Sequence, residues 1–444
     1  MNILILFIGF SMITTFGYFL FNLLVESENF LEKLSLGYLV GMGLSTLIFF
    51  VLNIIGVKYT TSNLFILLTV LNALIICLNL FLKKIGHIKI IPPNLKSYSF
   101  LEWSILILLT FFFLTSLINN LYWPINDWDA LTLYDFRGQV FALTGFMDPV
   151  FSIHRYYLGY PLLTSLSHTF VYLMGGKNPH FLYSINYIAF IVSFYYLVKR
   201  VMTRKIALLM SFLLAISFEI YDHSKLAYTN LPYTIYYCLG VIFLFFWIKN
   251  KNSKSLIISG ILVGLSTWTR SSEPFWIVPL LVVFLILISQ KKIFGILEYF
   301  LIFFSIKLPW DFYITNKGED ITNISQYSSL KLTLNLIINR AFEVTNYFYL
   351  NVLKKEALLY LIFLLGLFFI SKKDKAVFYF ALMVLLNLAI IGGGIFLYSF
   401  IYPKWTTIGD SVSRMSMIFV PLIIFFISLI LSKENLFRNV KKNK

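Results

Sequence analysis

The sequence predicts an all-α, polytopic transmembrane helix bundle of about thirteen spans, and three observations carry that reading. Of the 444 residues, 59% are hydrophobic and only 13% charged, about half the charge of an average soluble domain. Apolar runs of about 20 residues, long enough to cross roughly 30 Å of hydrocarbon, recur along the whole chain. Most Lys and Arg fall in short clusters between those runs, as expected of cytoplasmic loops. That clustering also argues against nucleic acid as the partner behind the formal net charge of +16.

The spans are expected to begin near Ile3, Ser35, Asn63, Phe100, Phe181, Ile206, Pro232, Ser255, Pro274, Ile293, Glu356, Ala376 and Met415. The run Ile3 to Leu24 lacks a basic leader and a small-residue cleavage site, so it reads as a retained helix. Cys77 and Cys238 each lie inside an apolar run and act there as small apolar side chains; they make neither a disulfide framework nor a metal cluster. Residues 1–99 then hold three N-terminal spans, 100–432 the main module, and 433–444 a basic cytoplasmic tail.

Orientation follows from charge. Lys83, Lys84, Lys89 and Lys96, then Lys199 to Lys205, Lys249 to Lys254, Lys291-Lys292, Lys372 to Lys375 and the tail should share the cytoplasmic face. They do so only if Tyr160 to Gly176, apolar enough to pass for a span, does not cross. Its Ser, Thr and His suit a helix lying at or dipping into the outer interface. The longer loops, 121–180, 221–231, 268–273, 311–355 and 400–414, then face outward, and chemistry should sit in them.

The first outer loop brings Asp127, Asp129 and Asp135 close to the bilayer. A carboxylate there is costly to ionise without water or a cation, and it suits a general base that takes a hydroxyl proton. The bland alternative, that Asp127 or Asp129 merely caps a helix running through Tyr134, is about as well supported by the loop alone. The second loop adds Glu219, Asp222, His223 and Lys225, with Asn230 capping the helix that Pro232 opens. The third sets Arg270 three residues from Glu273, either a local ion pair or a phosphate ligand. The last supplies Lys404, Asp410 and Arg414, where a cation either snorkels or meets a lipid phosphate.

Taken in order, Trp128-Asp129-Ala130, His154, Tyr160-Pro161-Leu162-Leu163, Tyr228-Thr229-Asn230-Leu231-Pro232, Trp268-Thr269-Arg270 with Glu273, Pro309-Trp310 and Ser413-Arg414 make a succession. It resembles bacterial members of the GT-C superfamily of membrane glycosyltransferases, among them protein O-mannosyltransferases and the aminoarabinose transferase of lipid A. The resemblance covers roughly Phe100 to the last span; each motif is short, and the order carries the likeness. It implies juxtamembrane helices in the first large outer loop, with the Tyr-Pro-Leu-Leu helix outside the membrane. It implies an inverting transfer of a hexose or pentose from a polyprenyl-phosphate carrier to a hydroxyl on a cell-surface glycan, lipid or protein, outside the bacterial inner membrane.

By position, the resemblance makes Asp129 the catalytic base, with Asp127 beside it and Asp222 as a second acid. Arg270 and Arg414 become the donor-phosphate ligands, with Glu273, Lys404, His154, Tyr160 and Asn230 around the substrates. One departure stands out: the second motif usually carries Asp where this chain has Asn230, which cannot act as a base, so a second carboxylate must be Asp222 or Glu219. No compact set of metal ligands is apparent, and no cofactor is expected. Two other classes predict different features. An O-antigen polymerase or ligase needs a late outer loop rich in Arg and His, whereas 311–355 has Arg340 and no His. A transporter or flippase needs ionisable groups deep in its spans and inverted repeats, and neither is seen.

Overall fold

The computed structural model describes residues 3–25, 29–84, 97–317, 334–371, 374–402 and 404–442, with side chains except at 155, 334, 410 and 433–442. Regular structure among them is helical throughout. Three helices come first: α1 (Ile3–Leu24), α2 (Phe30–Ile54) and α3 (Thr61–Phe81). The main module opens with α4 (Phe100–Tyr122), followed by the short α5 (Phe136–Thr144), α6 (Asp148–Phe151) and α7 (Leu163–Leu173). Next come α8 (Phe181–Lys199), α9 (Arg204–Ile216), α10 (Phe218–His223), α11 (Asn230–Asn250), α12 (Ser253–Thr269), α13 (Ile277–Ser289) and α14 (Ile293–Asn316). The chain ends in α15 (Leu334–Phe348), α16 (Ala357–Leu367), α17 (Lys375–Ile401), α18 (Gly409–Ser416) and α19 (Phe419–Lys442).

A helix stands at each of the thirteen expected spans. Nine helices among the described residues are long and apolar enough to cross a membrane. The other four, at 204–216, 253–269, 274–289 and 357–367, are shorter. α11 is the axis of the bundle, buried in every residue from Asn230 to Ile248. Apolar residues run right round it, so it needs neighbours on every side. In α1 and α2 the backbones touch: a Cβ on Gly17 would stand 1.8 Å from the Gly37 carbonyl oxygen. Small residues allow this approach where lipid gives helices no hydrophobic reason to associate. Cys77 is exposed on α3, while Cys238 is buried, its thiol 3.2 Å from the Ile418 carbonyl.

The basic clusters that are described gather at one end of the bundle. Arg200 pairs with Glu32 at 2.5 Å and Arg204 with Glu102 at 2.6 Å, Asn22 bonds the Lys84 carbonyl, and Lys251 lies in the field of Lys292 and Lys375. Through-bundle helices carry the chain from there to the acidic loops at the other end. α7 is what makes this possible. Eleven residues rise only about 16 Å, half of what a crossing needs. It differs from the expected interfacial helix in one respect: Leu163 through Val171 are all buried, so its polar groups face protein rather than the membrane surface.

What holds α7 is polar. The Asp135 carboxylate meets His168 Nδ1 at 3.0 Å and accepts from the Tyr172 hydroxyl at 2.7 Å and Gln139 at 2.8 Å; His168 Nε2 reaches the Tyr183 hydroxyl at 3.1 Å. Burial alone would raise the Asp135 carboxyl, but these bonds outweigh it and hold it below the ordinary aspartate value. A depressed carboxyl stabilises the fold above its unfolded pKa near 3.9, and the gain is lost as pH falls through the folded value. Acid unfolding in detergent below about pH 4 should therefore lessen in Asp135→Asn; an identical acid limb in the variant would count against the network.

Arg137 is the second clamp. Fully buried on α5, it donates to Ser165 at 2.9 Å and to the carbonyls of Tyr157 at 2.9 Å and Tyr160 at 2.8 Å. Burial among neutral acceptors pushes it down to about 10, so it stays charged at neutral pH. Arg137→Met strands those carbonyls at about 1–3 kcal/mol each. The unfolding midpoint should fall by several degrees, and an unchanged midpoint would contradict the clamp.

Candidate active site

Asp129 stands where the first loop turns into helix. Residues 130–135 form a π-turn that runs directly into α5, a distortion often met beside functional sites. The Asp129 carboxylate makes no capping bond, which sets aside the capping role for that residue. It remains 43% exposed and lies 4.0 Å from Arg414 Nη1, brought from 285 residues away in the chain.

Arg414 lies in the last turn of α18, and its guanidinium lies over the Tyr228 ring at 5.0 Å. The next residue, Thr229, links two more segments: its hydroxyl is 3.2 Å from that of Tyr134 and accepts from Arg270 Nη1 at 3.3 Å. Arg270 closes α12 and donates from Nε to Glu273 at 2.5 Å, with Ser272 bonding the other carboxylate oxygen at 3.0 Å. The Tyr160 ring covers the Arg270 guanidinium at 5.1 Å, and Tyr134 meets Tyr160 edge-on at 5.9 Å. Thus residues 129–134, 160, 228–230, 270–273 and 414 converge. The two arginines sit there on aromatic faces, which keep a charged group near hydrocarbon without neutralising it.

The other expected residues divide. Asn230 is buried at the first turn of α11, beside Thr229. Asp127 is half-buried; burial raises its carboxyl, with His180, Asp222 and His223 in its field. Asp222 is more open, 3.5 Å from Lys225. His154 is exposed and accepts the Tyr156 N–H at 3.0 Å, capping a short turn, so it reaches the cluster only through its loop. Lys404 is exposed, and among the described residues no hydrogen bond or ion pair joins it to the others. The Asp410 side chain lies outside the described residues.

One group was not legible in advance. Lys355, between 349–353 and α16, donates to Glu219 at 2.8 Å and to the Ser413 hydroxyl at 2.6 Å, and Ser413 donates to Glu219 at 2.9 Å. Burial would raise Glu219, but Lys355 and Ser413 prevail and hold it below the ordinary value. This link, with Glu219 buried and Lys355 open at its edge, fixes the residue next to Arg414. His223, on the same short helix, donates from Nδ1 to the Glu219 carbonyl at 2.8 Å, and burial lowers its pKa. Both Glu219 and Ser413 carry a local cue in the loop motifs; Lys355 carries none.

The loop 311–355 also begins differently from expectation. α14 continues through Asp311 to Asn316, with Lys307 and Asp311 paired one turn apart. Lys317 then reaches Asp148 at 2.7 Å, tying this segment to the first loop.

The apolar helices thus gather cations and a carboxylate at one end of the bundle. Residues 162–310, about a third of the chain, match the sequence model of the dolichyl-phosphate-mannose-protein mannosyltransferase family. No curated protein and no solved structure gives a match. That match supports a membrane glycosyltransferase that uses a lipid-linked sugar, and the apolar helices support an integral, multi-pass membrane protein.

Proposed function

We propose that the chain is an inverting glycosyltransferase that moves a sugar from a polyprenyl-phosphate carrier to a hydroxyl acceptor on the extracytoplasmic face of a bacterial inner membrane. The observation that carries this reading is the open Asp129 carboxylate, 4.0 Å from Arg414, in one cluster with the Arg270–Glu273 pair. The acceptor oxygen attacks the anomeric carbon from the face opposite the phosphate. The bond from that carbon to the phosphate oxygen breaks, and the electron pair leaves with the phosphate. Asp129 takes the acceptor proton late in the displacement.

Arg270 and Arg414 compensate the charge that grows on the leaving phosphate, and they do so in surroundings that exclude much of the water. Tyr160 and Asn230 line the path between the first and second loops, while Asp127 and Asp222 serve as supporting acids. The basic end of the bundle, placed in the cytoplasm, puts this cluster outside. A nucleotide sugar made in the cytosol does not reach it, which is the reason for a lipid-borne donor.

The arginines take the part that a divalent ion would otherwise play. Transfer should therefore persist in excess EDTA; abolition by chelation and return with added Mg²⁺ or Mn²⁺ would overturn this part of the reading. The whole reading is tested by incubating the purified protein with polyprenyl-phosphate sugars and an alcohol acceptor, and determining the anomeric configuration of the product. Inversion is expected, and retention would refute the single displacement.

A further inference from the structure

At the end of the bundle opposite Asp129 lies a cavity of about 390 Å³ that the glycosyl-transfer chemistry does not use. Apolar Val25, Phe243 and Ile258 line it together with polar groups, among them a charged rim of Glu32, Lys199 and Arg200. Glu32 is 2% exposed and already paired with Arg200 at 2.5 Å, and Arg200 rests on the rings of Phe243 and Phe246 at 5.7 and 5.3 Å. Lys199 is exposed, its ammonium over the rings of Tyr195 and Tyr196 at 5.8 and 5.7 Å. One carboxylate therefore faces two cations, which leaves the rim one positive charge in excess.

A second cavity, of about 920 Å³, lies among α1, α2 and α8. It is a groove lined by apolar side chains, with Ile185, Ile188 and Val192 along α8. Three- and four-residue steps carry that stripe on to Tyr196 and Lys199, so one face of α8 leads from the groove to the charged rim. An apolar groove and a cationic pocket on one face of α8, at the level where spans end, have the chemistry of a lipid: hydrocarbon below, phosphate above.

We infer that this pocket and groove hold one anionic glycerophospholipid, its phosphate at Lys199 and Arg200 and an acyl chain along α8 between α1 and α2. The lipid joins α1 and α2 to the main module. It is distinct from the sugar donor, whose phosphate belongs at the other end of the bundle.

The test is native mass spectrometry of the full chain in detergent, titrated separately with phosphatidylglycerol, phosphatidylcholine and glycerol 1-phosphate. One phosphatidylglycerol per chain should be retained, about tenfold more tightly than phosphatidylcholine, with no retention of glycerol 1-phosphate at the same concentrations. Lys199→Glu should weaken phosphatidylglycerol by about tenfold or more. Ile188→Trp, which fills the groove and leaves the rim charge intact, should also displace it, so the proposal does not depend on one variant folding. Equal retention by both variants, equal affinity for phosphatidylcholine, or glycerol 1-phosphate binding as tightly as the lipid would each overturn the inference.

Discussion

Asp129→Asn should slow glycosyl transfer by a factor of about 10²–10⁴, the usual worth of a positioned general base, and leave the unfolding midpoint in detergent unchanged. The carboxylate is open, makes no capping bond and stands across from Arg414, so the fold does not depend on it. Its amide keeps the shape and cannot take a proton. Asp127→Asn should cost less, because Asp127 is half-buried among His180, Asp222 and His223 and burial favours its neutral form. Asp222→Asn should cost least of the three, since Asp222 is open and paired locally with Lys225. Rates measured for all three variants at saturating donor decide the assignment. If Asp127→Asn abolishes transfer and Asp129→Asn does not, the base is Asp127.

Arg270→Met should be the more damaging change to the protein as a whole. Glu273 is 3% exposed and loses its partner at 2.5 Å, and an uncompensated buried carboxylate typically costs about 3–5 kcal/mol. The unfolding midpoint should drop accordingly. Adding Glu273→Gln removes the stranded charge, so the double variant should regain most of that stability. Transfer should stay low in the double variant, because the guanidinium over Tyr160 that would face the donor phosphate is still missing. Recovery of both stability and transfer would reduce Arg270 to a local structural pair, the bland alternative that its sequence context allows.

That comparison also shows where reading the sequence reached its limit. Nine of the thirteen expected spans, and the common end of the described basic clusters, were legible because both depend on local composition: apolar runs and the charge between them. The same logic kept Tyr160–Gly176 from crossing, and α7 is too short to do so. Arg137 escaped notice because a single arginine on a short amphipathic helix looks like a surface charge; only the packing of α7 above it makes it a buried clamp. Asp135 stood out as one acid of three, yet His168, Tyr172 and Gln139 occupy it completely. Lys355 and Glu219 are 136 residues apart, a pairing that only tertiary structure creates. The π-turn after Asp129 has no sequence signature at all, and α14 overruns its expected end because Lys307 and Asp311 neutralise one another one turn apart.

In the proposed mechanism a lipid-linked sugar is opened at Asp129. The measurement that tests it most directly is release of polyprenyl phosphate by the purified protein in nanodiscs, supplied with a panel of polyprenyl-phosphate sugars and a hydroxyl acceptor. At least one donor should be consumed with stoichiometric release of the carrier by the parent protein, and Asp129→Asn should release almost none. Equal release by the variant, or sugar transfer from a nucleotide donor with no carrier present, would contradict it.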